Sequence, residues 1–154
     1  MVCVPKFAHI PEQYVRTKDD KLALDRGFTL DVALGEKPVR FAESYFRTTR
    51  GFGAGRPVRL QDWQRDYLIP LFGWVHRESR LRRHREATLF CPRQNGKSFL
   101  CSLIALYMLA ADGEHGPDVM LLGTTSEQTS VVYGEIVESI RQSPELESAL
   151  HITE

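Results

Sequence analysis

The 154-residue chain is poor in the features that most quickly assign a protein. It has three cysteines, Cys3, Cys91 and Cys101, which form neither a CxxC pair nor an even set. This excludes a disulfide framework or a cysteine-rich zinc site and leaves reduced thiols as the simplest expectation. No apolar run reaches the roughly 18 residues of a membrane helix; the longest lies between Phe99 and Ala111, so no membrane association is expected. The first residues, Met-Val-Cys-Val-Pro-Lys-Phe, lack a basic segment followed by an apolar stretch, and no signal peptide is expected. Charge of one sign is also missing, because 20 Lys+Arg balance 20 Asp+Glu. A uniformly basic nucleic-acid binder and an acidic disordered chain are both excluded.

What is present is ordinary globular material, 42% hydrophobic and 10% aromatic, enough for one domain with a real core. The zero net charge conceals segregation. Between His76 and Lys97, seven Lys/Arg face two glutamates, whereas from Asp112 onward nine acids face Arg141 alone. The basic stretch Arg77–Arg85 suits either phosphate contacts or a solvated hairpin rim offset by the acidic tail. Asp112, Glu114, His115 and Asp118 gather oxygen and nitrogen donors but lack the spacing of a calcium loop or a zinc site. The histidines have no evident serine or cysteine partner for a catalytic triad.

Residues 1–37 read as an irregular arm with short pieces, broken by Pro5, Pro11, Gly27 and Gly35. Residues 38–154 read as the organised part. Pro38 opens a short helix with Phe41, Tyr45 and Phe46 on one face, ending near Arg50, before the glycine-rich loop 51–55. A helix from Leu60 places Trp63, Tyr67, Leu71 and Trp74 at helical spacing, with Pro70 bending or ending it. Residues 86–91 look like a short buried strand closed by Pro92, and 118–123 like a second one. Between them, Ser98–Ala111 is a helix apolar on nearly every side. Thr124 or Thr125 caps a long helix with Val131, Val132, Ile136, Val137 and Ile140 inward, and Pro144 interrupts it before a short helical tail. Strand, loop, helix, strand, helix is α/β grammar.

The strongest motif is Cys91-Pro-Arg-Gln-Asn-Gly-Lys-Ser98. It matches the G-x-x-x-x-G-K-[ST] phosphate loop at its last three positions, with Cys91 in place of the first glycine. In such a loop the backbone amides and the helix dipole hold a phosphate. Gly96 allows close backbone approach, Lys97 sets its ammonium between β- and γ-phosphates, and the Ser98 hydroxyl ligates Mg²⁺. Arg93, Gln94 and Asn95 complete the cradle. The alternative is an incidental turn in which Lys97 is merely solvated.

Around this loop the chain resembles the large subunit of tailed-phage terminases, the ATP-driven motors that package viral DNA. Pro92-Arg-Gln-Asn-Gly-Lys-Ser98 is similar to that family's variant Walker A segment, P-R-x-N-G-K-[ST]. Residues 41–55 resemble its N-terminal helix and glycine loop, and Leu60-Gln-Asp-Trp-Gln64 its L-x-x-W-Q segment. Gly123-Thr-Thr-Ser-Glu-Gln128 resembles its A-x-T-x-x-Q-A segment, with Gly123 and Thr129 replacing the alanines. The resemblance implies a P-loop NTPase-type three-layer sheet, ATP and Mg²⁺ as cofactors, and Gln64 near the adenine. Gln64 as a polar residue on a helix rim is the alternative. It also implies that Arg93 acts on the γ-phosphate as a cis arginine finger, against the alternative that it orients the loop or pairs with an acid. Trp63 fits core packing better than base stacking. The implied partners are double-stranded DNA, the terminase small subunit, the capsid portal and further copies of the chain in the motor, in the bacterial cytoplasm.

Hydrolysis by this class also needs an apolar strand ending in Asp-Glu, the Asp steadying Mg²⁺ and the Glu activating water. No such strand occurs between Met1 and Glu154. The expectation is therefore the N-terminal portion of such an ATPase domain, its sheet incomplete and its coupling motif and nuclease domain absent. Such a portion binds ATP but hydrolyses it poorly. Two other readings stay open: a fragment of a different, helicase-like P-loop protein, and a non-catalytic remnant that binds DNA or a partner.

Overall fold

In a computed structural model, residues 11–48, 55–150 and 152 are described. They fall into two compact units: one combines the described residues up to Val39 with Asp62–Thr88, the other those of Arg40–Gln61 with Leu89–Glu154.

In the first unit a 3₁₀ turn at Glu12–Tyr14 precedes helix α1, Lys18–Asp25. Thr17 and Asp20 start α1 with a reciprocal capping box. The Asp20 amide donates to Thr17 Oγ1 (3.1 Å), and the Thr17 amide donates to Asp20 Oδ2 (2.9 Å). Strand β1, Phe28–Leu30, follows, and Asp31 caps the single turn α2, Val32–Gly35, by accepting from the Leu34 amide. Helix α4, Asp62–Gly73, runs directly into strand β2, Trp74–His76. (Helix α3, Lys37–Tyr45, leads out of this unit.) The strands pair antiparallel, with Phe28 opposite His76, Thr29 opposite Val75 and Leu30 opposite Trp74. Thus the stretch read as an irregular arm contains a capped helix and half of a sheet.

The α4 surface differs from expectation by one position. Gln64, Leu68, Ile69, Phe72 and Gly73 are its buried residues, while Trp63, Tyr67 and Leu71 are half-buried. Pro70 lies inside the helix without ending it. The shift has a steric cause. Glycines set the meeting of α2 and α4: a Cβ on Gly35 would sit 2.3 Å from the Ile69 carbonyl oxygen, and one on Gly73 would sit 2.8 Å from that of Asp31. Close backbone contact at Ile69 and Gly73 turns that side of α4 inward.

In the second unit the C-terminal part of α3 carries an aromatic cluster. The Phe41 ring lies 5.2 Å from Tyr45 and 5.6 Å from Tyr107, and Phe46 lies 5.7 Å from Phe99. α3 ends at Tyr45, short of Arg50, because Phe46–Thr48 leave the helix to bond with Arg56–Val58. Most of the glycine-rich loop, residues 51–54, lies outside the described residues, as do Cys3, His9 and His151. Helix α5, Lys97–Ala110, buries Leu100, Leu103, Leu106 and Tyr107 almost completely. It packs on α6, Ser126–Arg141, whose Ile136 and Ile140 are buried and whose Val131 is half exposed. Pro144 begins the short α7, Pro144–Ala149.

The two strands expected on either side of α5 are not formed. Residues 86–91 and 118–123 make no ladder among the described residues, and Phe90 is 98% exposed, Met120 74% and Leu122 88%. Apolar, β-branched composition favours an extended, covered segment. A strand also needs a partner, and neither segment pairs with a described strand. The sheet observed is the two-stranded β1–β2 pair.

Candidate phosphate-binding loop

Residues 91–98 form a tight turn into α5, and two left-handed residues make it possible. Gly96, the N-cap of α5, has φ 74° and ψ 24°, which glycine adopts without strain. Gln94 has φ 64°, an uncommon and costly conformation for a residue with a Cβ. Asn95 Nδ2 donates to the Arg93 carbonyl at 3.3 Å, bracing the turn. The first bond of α5 runs from the Leu100 amide to the Gly96 carbonyl (2.9 Å). The amides of Lys97, Ser98 and Phe99 precede it, at the positive end of a 14-residue helix.

Lys97 is half-buried, and its ammonium folds back over the turn, donating to the carbonyls of Cys91 (2.8 Å) and Pro92 (2.7 Å). Two of its three protons are so engaged. Arg93, Gln94, Asn95 and Gly96 are exposed and Ser98 is half-buried. The six loop residues expected to hold nucleotide, Arg93 to Ser98, therefore lie together at one helix start. Gln64 belongs to the first unit, where it is buried at 6% exposure on the inner side of α4 rather than on a rim.

One polar residue escaped the sequence reading. Ser102, fully buried within the apolar α5, directs its hydroxyl at the Ser98 carbonyl (2.8 Å) and at the Val132 carbonyl of α6 (3.0 Å). It ties the first turn of the loop helix to α6. Its only signal in the sequence is a hydroxyl four residues after Ser98, inside an otherwise apolar run.

At the start of α6, Thr125 is the N-cap and accepts from the Gln128 amide, while Thr124 Oγ1 donates to Gln128 Oε1 at 3.0 Å. The two departures from the A-x-T-x-x-Q-A pattern touch each other: a Cβ on Gly123 would lie 2.6 Å from Thr129 Oγ1.

The basic segment after β2 is engaged within its own unit. The chain turns back at Arg80 (φ 58°), so that Val75 bridges Arg82. Arg80 pairs with Asp31 (2.6 Å), and Arg83 pairs with Asp20 (2.6 Å) while covering the Trp74 ring at 5.0 Å. Arg82 lies 5.4 Å from the centre of the Phe72 ring. Arg80 and Arg83 of the hairpin are thus offset by acids of α1 and of the α2 cap.

The start of a helix, with its unpaired amides, can hold an anion. The family described as terminase large subunit, ATPase domain, matches residues 62–151, more than half of the chain, and the chain belongs to that family. It is 24% identical over 120 residues to the large terminase subunit of Enterobacteria phage HK97, covering 77% of this chain and 23% of that protein. The crystal structure of the HK97 large terminase shares its fold with a TM-score of 0.54, at 24% identity and the same coverage. The chain thus spans about a quarter of the length of the relatives it matches.

Proposed function

We propose that this chain is the ATP-binding part of a terminase large subunit, and that residues 91–98 hold the nucleotide's phosphates. The carrying observation is Gly96 at φ 74° opening α5 with the Lys97 ammonium drawn over the turn. The residues present fit Mg²⁺·ATP. The amides at the start of α5 and the Lys97 ammonium supply donors for phosphate oxygens, and Ser98 supplies a hydroxyl for the metal. Bound Mg²⁺ would neutralise phosphate charge. Phosphates drawing the Lys97 ammonium away from the Cys91 and Pro92 carbonyls would free those two acceptors.

Arg93, exposed in the turn, is assigned to the γ-phosphate, and Gln64 to the adenine. Residues 38–154 are assigned to the N-terminal portion of a P-loop ATPase domain of the three-layer-sheet type, in which 86–91 and 118–123, unpaired among the described residues, would take up sheet positions. These residues carry the phosphate cradle without an apolar strand ending in paired acids, so they are expected to bind ATP better than they hydrolyse it. Double-stranded DNA, a small subunit, a portal and further copies of the chain are the partners assigned to the whole motor, acting in the host cytoplasm. No helix among the described residues is long and apolar enough to cross a membrane.

Equilibrium binding of Mg²⁺·ATP to the wild type and to Lys97→Ala tests this. The expected result is saturable binding weakened about tenfold or more by the substitution, about 1.4 kcal/mol or more. Equal affinity, or no binding by either protein, overturns the proposal.

A further inference from the structure

Two cysteines flank the phosphate loop, and neither is used by the function proposed above. Cys91 is half-buried at the loop's first position, and Cys101 is exposed on α5; both are free thiols. Lys97 connects their positions. Its ammonium is 2.8 Å from the Cys91 carbonyl oxygen, which fixes Cys91 beside the start of α5. Cys101 is four residues beyond Lys97 and so lies on the same face, one turn or about 6 Å along the axis. Helical side chains as a rule lean toward the N-terminus, which for a residue of α5 is the direction of the loop. Burial raises the Cys101 thiol above its ordinary range, and the nearby Cys91 adds to the rise.

We infer that Cys91 and Cys101 are a redox pair, joined by a reversible disulfide that closes a ring around the phosphate loop. The oxidant is of the peroxide class. One thiolate attacks a peroxide oxygen, the O–O bond breaks, and a sulfenic acid and one water form, with the thiol proton carried into the water. The second sulfur then displaces the sulfenic hydroxyl, which leaves with the second thiol proton as another water. Two thiols are oxidised by two electrons and one peroxide is reduced to two waters. The closed ring holds residues 92–100 in the folded-back arrangement, with Lys97 turned onto the Cys91 and Pro92 carbonyls. The consequence for nucleotide rests on the loop reading above: the oxidised chain binds ATP more weakly than the reduced one.

The test uses the full chain carrying Cys3→Ser, dilute and exposed to mild hydrogen peroxide. Trypsin cuts after Arg93 and Lys97, so residues 86–93 and 98–141 stay together only through this bond. The expected result is an intact mass lower by two hydrogens and a linked pair of those two peptides. Dithiothreitol should release the pair, and Cys101→Ser should abolish it. Sulfenic or sulfinic acid on separate peptides, or a link only between chains, overturns the inference whatever the nucleotide result. ATP affinity is measured on the same samples. A loss of about tenfold on oxidation, recovered on reduction, is expected. Unchanged affinity in a cross-linked chain that binds ATP when reduced overturns the regulatory role. Absence of binding in the reduced chain instead overturns the phosphate-loop reading and leaves the mass result to decide the disulfide.

Discussion

Gly96 and Gln94 both sit in the left-handed region, but only one of them is suited to it. Replacing Gly96 with alanine places a Cβ at φ 74° and is expected to cost about 1–2 kcal/mol. Gln94→Gly relieves the corresponding strain and should stabilise the chain by up to about 1 kcal/mol. Chemical denaturation of the two variants should therefore shift the midpoint in opposite directions, and shifts of the same sign would contradict this account of the turn. Motif spacing made the tight turn into α5 legible, because a glycine at a helix start is a local feature. Ser102 was not legible, since a serine in an apolar helix is informative only once Val132 of the neighbouring helix is known to face it.

Among elements, α5 and α6 were legible from periodicity and caps, with Thr125 the N-cap of the two threonines that could serve and Val131 turned further outward than the period suggests. Strands 86–91 and 118–123 were not, because composition encodes apolarity but not whether an edge is present to pair with. The inner side of α4 departs from the periodicity because close glycine contacts at Gly35 and Gly73 decide its rotation, and a glycine's place in the sequence signals a break in an element, not a close approach. Gly35→Ala drives a Cβ into the Ile69 carbonyl and should destabilise the first unit by about 2 kcal/mol or more, seen as a lower unfolding midpoint. At the start of α6, Gly123→Ala collides with Thr129 Oγ1 and should cost about 1 kcal/mol. Adding Thr129→Ala should restore most of it, recreating the alanine pair of the resembling motif. A double-mutant cycle reads the coupling, and strict additivity would contradict the contact.

At the scale of the whole molecule, acid should unfold the chain in two stages. Burial works against the charged forms of Asp20 and Asp31, but hydrogen bonds from Arg83 and Thr17 to Asp20, and from Arg80 and Leu34 to Asp31, outweigh it and hold both below the ordinary carboxylate range. Carboxylates with lowered folded values contribute full stability above about pH 3.9 and lose it as pH falls through the folded values. His84 is lowered by burial and by Arg83, so the unfolded chain protonates first and stability already begins to decline as pH falls through about 6.5. Thermal melts should show a shallow loss from that point and a steeper one below about pH 4, the second reduced in Asp20→Asn. Melting that is independent of pH across this range would contradict the pairings.

In the basic segment, Arg80 and Arg83 are neutralised by Asp31 and Asp20 inside the first unit. The central claim remains the loop at the start of α5. Amide hydrogen exchange with and without Mg²⁺·ATP tests it most directly, because the donors at issue are backbone N–H groups. The account predicts protection on nucleotide addition concentrated in residues 93–100 and lost in Lys97→Ala. Unchanged exchange there, or protection only elsewhere in the chain, would contradict it.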